Sequence, residues 1–242
     1  MTVTAIIGGT GAALFPGRSA AEDVRGDNRW GECSAPVERW EQGGGTVLFL
    51  PRHGRDASIP PHRVNYRANI QALHDLGAER IIALNAVGGI SSPAGALVVP
   101  EQLIDYTWGR EHTYYDGSHS ALEHVEITEP YDLNLRQGLV AAAEAAGVPL
   151  EPGGGYAVTQ GPRLETAAEV DRLERDGCSL IGMTSMPEAG LAAELGIPYA
   201  CLALVVNAAA GRGSAGIHAD IEAHVNATMT AAAAVIDAFL QE

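Results

Sequence analysis

The chain has 242 residues, 30 acidic against 15 basic side chains, and a formal net charge of −15. That balance excludes the basic face that nucleic-acid binding demands, but it leaves room for a small anion held by a few placed arginines and backbone amides. Such a chain buries roughly 70–75% of its unfolded surface, so it needs no disulfide or metal staple.

Short β-rich runs at 3–7, 46–50, 80–84, 155–159, 179–183 and 199–206 read as strands. Helical patterns lie between them at 64–76, 133–146, 165–176 and 187–195, and a last helix over 219–240 closes the chain. This alternation predicts an α/β fold in one domain over 1–242: a mixed, largely parallel central sheet flanked by helices. Cys33, Cys178 and Cys201 have no CxxC spacing and read as reduced core residues of a cytoplasmic protein. No basic region precedes the first apolar run, and no apolar run approaches about 18 residues. Neither a secretory signal nor a membrane span is expected.

In such sheets ligands collect beyond the carboxyl ends of the strands. The first strand ends in Gly8-Gly9-Thr10-Gly11. The second is followed by Pro51-Arg52-His53-Gly54-Arg55, where the Arg52 fork suits a phosphate and His53 adds a further donor. Arg55 reads as part of a solvated turn. After the third strand, Asn85-Ala86-Val87-Gly88-Gly89 reads as a glycine turn that exposes backbone N–H groups, an anion nest. After 179–183, Thr184-Ser185-Met186-Pro187 opens a helix, with Thr184 or Ser185 as its N-cap or as an anion donor. Four strand ends thus offer donors, and their convergence on one oxyanion is the expectation.

Gly8-Gly9-Thr10-Gly11 fails as a dinucleotide fingerprint. Leu14 stands where the third glycine belongs, no helix opens after it, and neither Asp27 nor Glu32 ends a second strand. A nicotinamide-dependent oxidoreductase is therefore disfavoured. A catalytically silent nucleoside-binding scaffold would be expected to lack the cations Arg52 and His53.

Eight segments in order carry a resemblance: IIGGTG, PRHGR, HRVNYRANIQAL, LNAVGGI, YYDGSHS, TQGPRLETAAEV, GMTSMPEAGLAAELGIPYA and the stretch from Asn207. Over nearly its whole length the chain resembles the trimeric nucleoside phosphorylases, which include purine nucleoside, methylthioadenosine and methylthioinosine phosphorylases. The resemblance implies phosphorolysis, in which a nucleoside and phosphate yield a free purine and a pentose 1-phosphate. It implies no metal and no organic cofactor; inorganic phosphate is a co-substrate. Thr10, Arg52, His53, Ala86 with Asn85, and Thr184 match the phosphate site, and Met183 matches the residue packed on the sugar. It also implies a homotrimer or a dimer of trimers, with the segment from Tyr114 to His119 reaching a neighbouring active site.

The resemblance likewise bears on the base. Glu165 matches the glutamate of 6-oxopurine enzymes that accepts N1–H, and Asn207 matches their asparagine, which donates to O6 and meets N7. Read without it, Glu165 favours a helix first turn and Asn207 ends a strand in a turn. The methylthioadenosine branch carries aspartates at the positions of Asn207 and Ala209, and this chain has neither. Ala208 falls between them. For the 5′ group, His218 can be laid over a histidine that contacts the 5′-hydroxyl in purine nucleoside phosphorylases, whereas methylthio enzymes place an apolar residue there. His218 can also simply begin the last helix. The expected substrates are inosine and guanosine, with S-methyl-5′-thioinosine as the alternative.

Overall fold

The computed structural model describes residues 2–16, 18, 21–24, 26–118, 121–214 and 216–241. In chain order the strands are β1 (Val3–Gly8), β2 (Glu22–Val24), β3 (Val37–Gln42), β4 (Gly45–Pro51), β5 (Arg80–Gly89), β6 (Leu97–Val99), β7 (Gln102–Asp105), β8 (Glu151–Pro152), β9 (Gly155–Val158), β10 (Cys178–Gly182) and β11 (Tyr199–Ala208). The helices are α1 (Tyr66–Asp75), α2 (Leu133–Ala146), α3 (Ala167–Arg175), α4 (Ser185–Glu194) and α5 (Ile217–Phe239). One sheet runs in the order β2-β3-β4-β1-β5-β10-β9-β7, and β11 pairs with both β5 and β6.

The sheet is buried on both faces, which is why its central strands read as unbroken apolar runs. Successive side chains of a strand point to opposite faces. In β1, Ile7 packs with Leu50 and Ile81 in the cluster that also holds Ile70 and Leu191 of α1 and α4. Its neighbour Ile6 packs with Phe49 and Ile82 in the cluster that holds Leu139 and Ile236 of α2 and α5.

Register positions the site. β1 lies parallel between β4 and β5, with Gly8 level with Pro51 and with Leu84. The residues that follow these three, namely Gly9-Thr10, Arg52-His53 and Asn85-Ala86, therefore emerge side by side.

The expectations differ from the structure in two main ways. First, the Gly88-Gly89 turn does not exist: β5 continues to Gly89, pairing in parallel with β11 and antiparallel with β10. The glycines are there for space. A Cβ on Gly89 would lie 1.9 Å from the Ser92 carbonyl oxygen, and one on Gly88 would crowd Ile181 and Asn207. The nest is absent, and Ala86 lies within a strand. Second, β2, β3, β6, β7 and β8 were not read from sequence. β2 and β3 are antiparallel strands stacked outside β4, and β6, β7 and β8 are two to four residues long. So short a run carries almost no periodic signal.

Candidate active site

One cavity opens at the carboxyl ends of β1, β4 and β10 and along the last part of β5 and β11. It is lined by Gly9, Thr10, Arg52, His53, Ala86, Met183, Thr184, Glu165, Asn207 and Ala209, together with Pro61, Val87, Gly88, Leu164, Ile181, Gly182, Val206, Ala210, Ile217 and Ile221.

At one end the glycine loop folds over the sheet. The Gly9 N–H donates to Leu84 O at 3.0 Å, and the Arg52 N–H to Gly8 O at 2.9 Å. Gly8 and Gly9 serve close approach: a Cβ on Gly9 would sit 2.7 Å from both Arg52 Nη1 and Leu84 O. The left-handed residue of the loop is Gly11, with φ 86°. Thr10 stays exposed at the cavity edge.

Arg52 is completely buried. Its Nε donates to Glu188 Oε1 at 2.5 Å, and its Nη2 to Glu188 Oε2 at 2.9 Å and Asn85 Oδ1 at 2.7 Å. Burial pulls the guanidinium pKa down, but the Glu188 carboxylate more than reverses this and holds it above its ordinary value. Asn85 is itself buried and is not on the cavity wall. Its side chain lies behind Arg52 and holds the guanidinium, while the Asn85-Ala86 backbone is the part expected at the phosphate.

His53 Nδ1 lies 2.8 Å from Ile59 O. A carbonyl can only accept, so Nδ1 carries the hydrogen and the neutral ring keeps Nε2 as an acceptor. Burial, with Arg52 nearby, lowers the His53 pKa from 6.5, so the ring is neutral near pH 7. This corrects the expectation of a further donor.

Thr184 occupies the N-cap position of α4, yet its side chain makes no capping bond. It is buried and lines the cavity.

At the other end stands Glu165. The sequence pattern predicts a helix from Glu165, but α3 begins only at Ala167. Thr166 is the N-cap, and Glu169 completes a capping box with it. Glu165 is thus outside the helix and half-buried at the cavity, where its Oε1 accepts the Thr159 hydroxyl at 2.6 Å.

Asn207 lies in β11, just past an irregularity in the pairing with β5, rather than in a turn. A shift of this kind re-aims a side chain. Its Nδ2 donates to Ala208 O at 2.8 Å, leaving Oδ1 and the second amide hydrogen. Ala208 contributes this carbonyl and does not line the cavity, whereas Ala209 does.

One further expectation changes. His218 is exposed in the first turn of α5 and is not on the wall; Ile217 and Ile221 line the cavity instead. His119 lies outside the described residues. Tyr114, from the same segment, is buried within the protomer, with its hydroxyl donating to Arg67 O at 2.9 Å.

Sequence reasoning missed Arg110. Its Nη1 donates to Met183 O at 2.8 Å and Met186 O at 2.7 Å, and its Nη2 to Gln160 O at 2.9 Å and Thr159 O at 3.2 Å. It ties the ends of β9 and β10 to the start of α4. No local motif announces this role.

The cavity therefore offers an anion end, a carboxylate–amide end, and an apolar wall. The model of the phosphorylase superfamily matches residues 4–241. A probable S-methyl-5′-thioinosine phosphorylase from Pseudomonas syringae pv. tomato is 50% identical over 219 residues, covering 90% of this chain and 89% of the relative. A 6-oxopurine nucleoside phosphorylase from Pyrococcus furiosus is 45% identical over 214 residues, covering 86% of this chain and 80% of the relative. The solved methylthioadenosine phosphorylase from Schistosoma mansoni in complex with adenine superposes with a TM-score of 0.90 at 28% identity, over 99% of this chain and 91% of that one. The chain belongs to the phosphorylase superfamily.

Proposed function

We propose that this protein catalyses phosphorolysis of 6-oxopurine nucleosides, releasing a free purine and a pentose 1-phosphate. The observation that carries the reading is that Glu165 and Asn207 share one cavity with Thr10, Arg52, His53 and Thr184.

Phosphate held by Thr10, Arg52 and Thr184 lies below C1′. The C1′–N9 bond breaks, its electron pair goes to the purine, and a phosphate oxygen captures the oxocarbenium-like carbon. The proton of HPO4²⁻ balances the reaction by ending on the purine. The neutral His53 Nε2 is the acceptor that such a P–O–H group requires. Glu165 accepts N1–H, Asn207 Oδ1 takes N7–H as the base leaves, and the second amide hydrogen of Asn207 meets O6. Met183 packs on the sugar. Catalysis is by positioning and electrostatics, with no protein nucleophile. Neutral adenine has no N1–H, so a carboxylate facing it goes unpaired, a mismatch that can cost ~10⁴–10⁵ in selectivity.

At the 5′ end, the apolar Ile217 and Ile221 favour S-methyl-5′-thioinosine over inosine. An apolar wall gains from a buried methylthio group and gives a hydroxyl no partner. Relatives named for each substrate exist at similar identity. The same reading includes a homotrimer in the cytoplasm. The exposed Trp108 and Leu122, near the segment expected to reach across, support a subunit interface; light scattering tests it.

The deciding assay compares S-methyl-5′-thioinosine, inosine, guanosine and adenosine with and without phosphate. Turnover that ignores phosphate, or faster cleavage of adenosine than of inosine, sinks the proposal.

A further inference from the structure

Arg52 brings five N–H donors to a site with no water-exposed surface of its own. Four of them are engaged. Nε and one Nη2 hydrogen go to the two Glu188 oxygens, the other Nη2 hydrogen goes to Asn85 Oδ1, and Nη1 reaches Leu84 O at 3.3 Å. Arg52 nevertheless lines the cavity beside Gly9, whose Cα would place a Cβ 2.7 Å from Nη1. Among the described residues one Nη1 hydrogen has no protein partner and is left for a ligand.

Glu188 is also fully buried, and its Oε2 accepts a third bond from the Tyr199 hydroxyl at 2.9 Å. It lies on α4, while Arg52 follows β4, so the pair spans 136 residues of sequence. A buried ion pair gives little net stability compared with an apolar pair of the same shape. This pair is therefore poorly explained as a staple for the fold. It is well explained as a device for a guanidinium that must present one donor in one direction.

We infer that Glu188 is a positioning residue for the phosphate co-substrate: with Tyr199 behind it, it fixes the Arg52 fork so that Nη1 meets a phosphate oxygen. The same pairing cancels the arginine charge, so phosphate affinity depends on the direction of that donor rather than on a free cation. Asn85 completes the hold from the opposite side, and its Nδ2 reaches the Tyr156 hydroxyl at 3.5 Å. The inference rests on the phosphorolysis reading, because it assigns Glu188 a task in that reaction.

Steady-state kinetics of Glu188→Gln and Tyr199→Phe test it, with phosphate varied at saturating nucleoside and the nucleoside varied at saturating phosphate. Glutamine puts an N–H₂ where Arg52 or Tyr199 donates, so the fork is displaced. Phosphate KM should rise at least about tenfold in Glu188→Gln, the loss expected for hydrogen bonds to a charged group, and about three- to tenfold in Tyr199→Phe, where the lost bond reaches phosphate only through Glu188 and Arg52. Nucleoside KM should stay within about twofold. In an Arg52→Lys background, Glu188→Gln should add little, since the two residues act as one unit. Unchanged phosphate KM in the folded Tyr199→Phe protein, or full additivity with Arg52→Lys, overturns the inference, as does a gain in phosphate affinity on releasing the cation. If Glu188→Gln does not fold, Tyr199→Phe decides alone. A wild-type enzyme indifferent to phosphate overturns the functional reading instead, which separates the two failures.

Discussion

The Thr159 hydroxyl donates to Glu165 Oε1 at 2.6 Å, which ties one carboxylate oxygen to the end of β9 and leaves the other for a ligand. The two residues are six apart, on either side of the turn that carries Gln160 and Gly161. Glu165→Gln should lower kcat/KM for 6-oxopurine nucleosides by about 10²-fold or more, the scale of a lost transition-state contact. Its phosphate KM should hardly move. Thr159→Val keeps the charge and loses only the orienting bond, so its loss should be about tenfold. Equal losses in the two variants would show that orientation, not the carboxylate, matters most.

Ile217 and Ile221 lie one helical turn apart on the cavity side of α5, and His218 is exposed. Ile221→Ser should lower kcat/KM for S-methyl-5′-thioinosine by about tenfold, as expected for weakening an apolar pocket by ~1–3 kcal/mol. Inosine turnover should change far less. His218→Leu should leave the preference between the two substrates where it was. A shift toward S-methyl-5′-thioinosine in His218→Leu would return the 5′ contact to the histidine.

His53 is half-buried, and desolvation with Arg52 beside it holds its pKa below 6.5. Between that lowered pKa and 6.5 the unfolded chain binds more protons at this position than the folded one. Its contribution to stability is complete above pH 6.5 and declines as pH falls through that window. Urea midpoints measured from pH 8 to 5 should therefore fall more steeply for the wild type than for His53→Asn. Parallel curves would mean that the ring titrates alike in the folded and unfolded chain.

Thr166 and Glu169 form a reciprocal capping box at the start of α3. Thr166→Ala should cost about 1 kcal/mol. In a chain of this size that lowers the melting temperature by about 2–4 °C. Because the cap holds the helix rather than the ligand, the loss should appear in thermal melts and not in phosphate KM.

Gly9→Ala should do the opposite. The added methyl would crowd both Arg52 Nη1 and Leu84 O, so the phosphate loop must lift from β5. Overpacking of this kind costs about 1–3 kcal/mol. Phosphate KM should rise more than nucleoside KM, and a variant with both constants unchanged would show that the loop has room to spare.

Much of this molecule is determined by its sequence alone. Unbroken apolar runs alternating with amphipathic helices dictate a sheet buried on both faces, and Thr10, Arg52, His53 and Asn85, within three residues of Ile7, Leu50 and Leu84, mark where a ligand collects. Thr10, Arg52, His53, Ala86, Met183, Thr184, Glu165, Asn207 and Ala209 are legible in this way, through their places in the strand order and through the resemblance, and all nine line one cavity. Tertiary structure decided what depends on partners far away in sequence. Glu188 reads locally as a first-turn acidic residue of a helix, and only the packing of α4 against β5 and β11 makes it the buried counterion of Arg52. The glycines at 88 and 89 read as a turn because a glycine needed for space and one needed for its backbone angle look the same in sequence. His218 and Ile217 are neighbours, and a helix turns about 100° per residue. Which of the two faces the cavity is set by where α5 begins and how it docks, information that no short stretch of sequence contains.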